Sequence, residues 1–200
     1  MNKKSPSPTQ ANPELLVLVA DLLSAASAPA LSAYDLGKIA YLKGKLDTVS
    51  APKKEFELIV KALAGFRLIK PLDSRAAFIL FGHHSATPAE IACCLDPFAY
   101  VSHLSAMEHH GLTDRFPKLL YLTRPIASEW RKQADFRMQK DLGNVLEHYK
   151  KSGMPRLTRP SLNTIKDTTV HTQERSHLGA FRNVSGSALR VATIGSVVAY

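Results

Sequence analysis

The chain has two cysteines in 200 residues, and they are neighbours, Cys93 and Cys94. Adjacent cysteines close at best a strained bridge, so a disulfide scaffold is excluded, and the chain reads as built for a reducing, cytoplasmic compartment. Long apolar runs are missing as well: none reaches the ~18 residues of a membrane helix. There is no phosphate-binding Gly-rich loop and no Gly-x-Ser-x-Gly, so the chain is read as a non-enzyme. Metal-ligand spacing is absent too. His83-His84 and His109-His110 are adjacent pairs whose members point different ways in regular structure, His103 and His110 lie two helical turns apart, and the cysteines lack a Cys-x-x-Cys step. No metal and no cofactor are expected. Acidic side chains are scarce: 17 Asp plus Glu stand against 26 Lys plus Arg, a formal net charge of +9.

What is present is ordinary globular material, 45% hydrophobic and 22% charged, which excludes wholesale disorder. An excess of +9 favours a polyanionic partner, nucleic acid first. The excess sits at the two ends. Residues 1–86 hold 11 basic and 7 acidic side chains, residues 87–148 hold 7 and 8, and residues 149–200 hold 8 and 2. Lys3 and Lys4 precede the apolar stretch Leu15 to Leu23, as in a secretory signal. However, Glu14 sits at the edge of that stretch and Asp21 inside it, and Pro6, Pro8 and Pro13 precede it. Residues 1–11 are therefore read as a Ser/Pro-rich disordered tail.

The spacing predicts a first helix from Pro13, capped by Asn12, with Leu15, Leu18, Val19 and Leu22 on one face. A second helix, Ala33 to Lys43, is capped by Ser32 and stopped by Gly44. A third follows Ser50 and runs from about Ala51 to Ala64. It buries Phe56, Ile59, Val60 and Leu63, carries Lys54, Glu57 and Lys61 on its other face, and stops at Gly65. Phe66 to Leu72 and Ala76 to Phe81 then read as strands joined by a turn at Asp73-Ser74-Arg75. Three helices and a hairpin are the order of a winged helix-turn-helix, whose third helix enters the major groove. The same order also describes small domains that touch no nucleic acid. A second unit opens at Thr87-Pro88-Ala89-Glu90, a capping box. Asp96-Pro97 is expected to start a helix with the stripe Tyr100, Val101, Leu104 and Met107, closed by Gly111. Leu119 to Thr123 reads as a strand and Ile126 to about His148 as one or two helices. After a break at Ser152-Gly153-Met154-Pro155, the chain is β-prone to its end. The fold class is α+β: residues 12–84 form a winged helix-turn-helix domain and residues 85–200 a mixed α/β C-terminal domain.

Residues Tyr100-Val101-Ser102-His103-Leu104-Ser105-Ala106-Met107-Glu108-His109-His110-Gly111-Leu112-Thr113 resemble the signature of AbiEi-type antitoxins, approximately Tyr-x-Ser-x-x-Ser-Ala-x-x-x-His-Gly-Leu-Thr, followed by a Pro and a strand. Pro117 and Leu119 to Thr123 supply that continuation. Arg190-Val191-Ala192-Thr193-Ile194 resembles a strand that the family places before a downstream helix. The resemblance spans roughly residues 30–195. It implies an N-terminal winged helix-turn-helix that binds inverted repeats in its own promoter and represses the operon. It also implies an antitoxin role against a nucleotidyltransferase-like toxin. Family members continue past this strand with at least one helix, whereas this chain stops at Tyr200; a shortened C-terminal domain and a fragment of a longer protein both stay open.

Carried onto this chain, the family's DNA-binding element puts Ser50, Lys53, Lys54, Glu57 and Lys61 of the third helix, and Arg67, Lys70 and Arg75 of the wing, at the interface. Lysine and arginine neutralise phosphates and release counterions, which gives affinity without sequence information. Glu57 is suited to accept from a cytosine amine. Reading inverted repeats requires a dimer or two copies on one double-stranded operator. Other readings stay open: a stand-alone regulator without antitoxin activity, a protein-interaction module whose basic ends dock an acidic toxin or effector, and an RNA-binding protein.

Overall fold

Side-chain caps set where the first helices begin. The computed structural model describes residues 11–72, 77–83 and 85–198, and the statements below concern these residues. The expected tail falls outside them except for Ala11. Helix α1 (Pro13–Ser24) starts at the predicted proline, and the Asn12 side chain accepts a hydrogen bond from the Glu14 N–H at 3.0 Å. Strand β1 (Ala30–Ser32) leads straight into α2 (Ala33–Leu42), where Ser32 Oγ accepts from the Asp35 N–H at 3.0 Å. A single 3-10 turn over Leu46–Thr48 precedes α3 (Pro52–Gly65), which buries Phe56, Ile59 and Leu63. Its end is not made by Gly65. The left-handed residue is Arg67, at φ 59°, and the Leu68 N–H closes on the Leu63 carbonyl at 2.9 Å. Strands β2 (Ile69–Pro71) and β3 (Ala77–Leu80) are antiparallel, and β1 pairs with the other side of β3, giving the order β1-β3-β2. The turn expected at Asp73-Ser74-Arg75 lies outside the described residues.

The second half forms α4 (Pro88–Leu95), β4 (Tyr100–Val101), α5 (His103–His109), β5 (Leu120–Pro125), α6 (Ala127–Leu142), α7 (Leu146–Lys151), β6 (Thr164–Ile165), β7 (Thr168–Arg175), β8 (Phe181–Asn183), β9 (Arg190–Ala192) and α8 (Ile194–Val198). Helix α4 carries the full capping box: Thr87 Oγ1 accepts from the Glu90 N–H, and Glu90 Oε2 accepts from the Thr87 N–H at 2.9 Å. The mixed sheet runs β6-β7-β5-β4-β9-β8, with β5/β7 and β4/β9 parallel. The protein is thus α+β. Among the described residues, no helix is long and apolar enough to cross a membrane.

Two expectations fail here for local reasons. The helix expected from Asp96-Pro97 begins only at His103; the residues before it are instead a tight turn and a short strand. The Asp96 carboxylate accepts from the Phe98 N–H at 3.1 Å, and Tyr100 and Val101 pair with Thr123 and Leu122. His103, at φ 50°, turns the chain from strand to helix. At the other end, Ile194, Val197 and Val198 are helical rather than extended, the Val197 N–H donating to the Thr193 carbonyl at 3.0 Å.

A division after residue 84 would leave α6 and α7 with the second sheet. The buried side chains are distributed otherwise. Trp130, Ala134, Met138, Leu142, Leu146, Tyr149, Met154 and Leu157 share one core with Leu15, Val19, Leu36, Tyr41, Ile59 and Leu63. The second core lies between α4, α5 and the six-stranded sheet and includes Ile91, Tyr100, Leu122 and Val191. Both helices are therefore held on the N-terminal elements. Polar contacts reinforce this: Arg137 Nη2 reaches Asp35 Oδ1 at 2.6 Å, and Lys38 Nζ reaches Asp141 Oδ2 at 2.8 Å. The Tyr34 hydroxyl also donates to Asp141 Oδ2, at 3.1 Å.

Burial alone would raise the Asp141 carboxyl. The hydrogen bonds and charges of Lys38, Tyr34 and Arg137 outweigh it and hold the group below the usual carboxylate range. A carboxylate depressed on folding stabilises the fold above its unfolded value, about pH 3.9. It loses that contribution as pH falls further, through the folded value. Urea titrations at neutral pH and near pH 3 are expected to show the midpoint falling with acid, and Asp141→Asn is expected to flatten that acid limb.

Candidate nucleic-acid interface

Helix α3 has a buried stripe and an exposed one. Pro52, Phe56, Ile59 and Leu63 face the core, whereas Lys53, Lys54, Glu57 and Lys61 are exposed. Lys54, Glu57 and Lys61 fall at i, i+3 and i+7 and so share one face. The helix begins without a side-chain cap. Ala51 is its N-cap residue, and Ser50, the expected preceding polar residue, is exposed and makes no capping bond. Pro52 has no N–H to satisfy, which leaves fewer free donors in this first turn.

The structure gathers Ser50, Lys53, Lys54 and Glu57 around one open depression of about 660 Å³. Lys61 lies outside it, on the same helix. Arg67 is exposed on the left-handed residue after α3, and Lys70 is exposed on β2, opposite Ile79. Arg75 is outside the described residues. The expected interface residues therefore fall into a helix-start group of four, Lys61 farther along α3, and two at the base of the hairpin.

The other wall of the depression comes from a part of the chain that carries no sequence signal for it. It is formed by His148, Lys151 and Ser152 at the end of α7. No spacing in the sequence connects residue 151 to residue 53. What connects them is the core: Tyr149 is fully buried and sets its ring edge against Tyr41, centroids 5.0 Å apart, and against Tyr34 at 6.3 Å. The Tyr149 hydroxyl donates to the Pro155 carbonyl at 2.7 Å. Gly153 ends α7 at φ +70°, and a methyl group there would sit 3.2 Å from Lys53 Cδ. The Lys53 stem thus lies across that glycine. Among the described residues, Lys53, Lys54 and Lys151 have no carboxylate within ion-pair distance, unlike Lys150, which is 2.8 Å from Glu147.

The residues from Tyr100 to Gly111 are occupied internally. Thr123 Oγ1 donates to Ser102 Oγ at 2.9 Å, and Ser102 Oγ lies 2.8 Å from His103 Nδ1. Ser105 Oγ donates to the Leu119 carbonyl and accepts from the Tyr121 N–H, which ties α5 to β5. His110 Nε2 donates to the Ala192 carbonyl at 2.7 Å, and Gly111 takes φ +65° to end the helix. Burial, with Arg175 and His171 nearby, holds the His103 imidazole below its usual value. Cys93 is buried and Cys94 half-buried; burial raises both thiols, Cys94 to about 11, so neither is a ready thiolate. Compared with known proteins, the chain matches no family model and no curated protein.

Proposed function

We propose that this protein is a sequence-specific DNA-binding repressor of the AbiEi antitoxin type. It represses its own toxin–antitoxin operon and counteracts a nucleotidyltransferase-like toxin. The observation that carries the DNA-binding half is the order helix, strand, helix, helix, hairpin, with strands arranged β1-β3-β2 and a lysine-bearing third helix exposed beside it. That is the arrangement in which a winged helix-turn-helix presents its third helix to the major groove. Lys53, Lys54 and Lys61 supply phosphate neutralisation, Glu57 supplies a base-edge acceptor, and Arg67, Lys70 and Arg75 belong to the wing.

The antitoxin half rests on the resemblance at Tyr100 to Thr113. In this reading Ser102, Ser105 and His110 act by shaping the domain that meets the toxin, since their side chains are engaged inside the protein. No catalytic step and no cofactor enter the reading.

Binding of the purified chain to duplex DNA from upstream of its own gene, against shuffled duplex and over a salt series, tests the repressor function. Specific binding is expected. In the double variant Lys53→Glu/Lys54→Glu it should weaken by at least about a hundredfold, because two phosphate contacts become repulsions. Equal affinity for operator and shuffled DNA would remove the specific-repressor reading. Co-expression with a neighbouring nucleotidyltransferase-like gene, scored by growth, tests the antitoxin half separately.

A further inference from the structure

Lys53 and Lys54 on α3 and Lys151 on α7 converge on one depression from opposite walls. We propose that this depression is a phosphate clamp for duplex DNA, and that α7 holds the sugar–phosphate backbone beside the groove in which α3 lies. The proposal rests on the duplex-DNA reading above and adds a contact from outside the helix-turn-helix.

Three observations carry it. The walls come from segments about a hundred residues apart in sequence, yet they are joined through one core, so their spacing is fixed rather than left to mobile side chains. The clamp's charge is lopsided: Lys53, Lys54 and Lys151 line it with Glu57 as its one carboxylate, Glu147 lies a turn before Lys151 outside the lining, and none of the three lysines has a carboxylate within ion-pair distance among the described residues. Elsewhere the protein pairs converging charges, as at Asp35, Lys38, Arg137 and Asp141. Gathering like charges without a counter-ion costs energy, and an anionic ligand removes that cost. The third observation is shape. The depression is open, polar and about 660 Å³, with room for a phosphodiester and its flanking sugars. The end of α7 lies directly beside the start of α3, because the Lys53 stem lies on Gly153. A lysine there contributes a point charge to a phosphate and no sequence information.

The test uses the full chain and a fluorescent operator duplex, with anisotropy read over a salt series. Lys151→Gln is expected to lower affinity about tenfold. It should also reduce the slope of log affinity against log salt by about 1, the signature of one lost phosphate contact. Operator preference over shuffled DNA should be retained. Lys118→Gln removes the same charge from an exposed position outside the clamp and should leave the slope unchanged. Lys151 is exposed and makes no close ion pair, so the variant should fold normally, which circular dichroism checks. Wild-type affinity and slope in Lys151→Gln, with binding still lost in Lys53→Glu/Lys54→Glu, would overturn the clamp and leave the DNA reading standing. Absence of salt-dependent duplex binding by the wild type would overturn both.

Discussion

Asp96→Ala is expected to destabilise the protein by about 3–5 kcal/mol, the cost of removing one member of a buried charged network. Asp96 is fully buried. Its Oδ1 accepts from Trp130 Nε1 at 2.9 Å and from the Phe98 N–H at 3.1 Å, and its Oδ2 lies 3.4 Å from Arg124 Nη1. The same residue's carbonyl accepts from Arg190 Nη2 at 2.6 Å, where Arg190 also binds the Cys93 and Ala99 carbonyls and so caps the end of α4. The Asp96 side chain thus joins the turn before β4, strand β5 and the start of α6, and its carbonyl shares Arg190 with the end of α4. Alanine leaves the indole N–H and one backbone N–H buried without acceptors and takes the nearest anion from a guanidinium that is only 11% exposed. For a chain of this length, the loss corresponds to a melting point lowered by roughly 10 °C or more. Trp130 is the only tryptophan, so its emission reports the event directly. Asp96→Asn keeps an acceptor for Trp130 and removes only the charge, and a loss of about 1–3 kcal/mol is expected. Equal melting points for wild type and Asp96→Ala would show that the network contributes nothing net.

The difference between what could be read along the chain and what could not follows the range of the interactions. Caps act over three residues, so Asn12, Ser32 and Thr87 mark their helices in the sequence as they do in the fold. Strand β1 is three residues long and exists because Ala30 to Ser32 pair with residues 77–79. Nothing in Ala30-Leu31-Ser32 alternates for long enough to announce it. Tyr100, Val101, Leu104 and Met107 fit a helical stripe, so spacing alone predicts a helix for all four. The pairing that makes Tyr100 and Val101 a strand is with residues 122 and 123. The same holds for the candidate interface. Lys53, Lys54 and Glu57 share the first turn and a half of α3 and Ser50 lies just before its N-cap, so their grouping follows from spacing alone. His148 and Lys151 join them only through the burial of Leu146 and Tyr149, which requires the tertiary fold.

Tyr149 is therefore where stability and DNA affinity should be coupled. Tyr149→Ala removes a fully buried ring that contacts Tyr34 and Tyr41, and a loss of about 3–5 kcal/mol is expected. Tyr149→Phe keeps the ring and removes only the hydroxyl that donates to Pro155, for about 1 kcal/mol. If α7 is one wall of a phosphate clamp, the two variants should differ in binding as well as in melting. At a temperature where both are folded, Tyr149→Phe should bind operator like wild type, because the ring still fixes α7 against α2. Tyr149→Ala should show the reduced salt slope of Lys151→Gln although every lysine is intact, because the wall that carries Lys151 has lost its anchor. A Tyr149→Ala protein that is less stable but has an unchanged salt slope would show that the position of α7 does not matter to the DNA. Measuring urea midpoints and salt slopes on the same preparations separates these outcomes, since the first reads the core and the second counts phosphates.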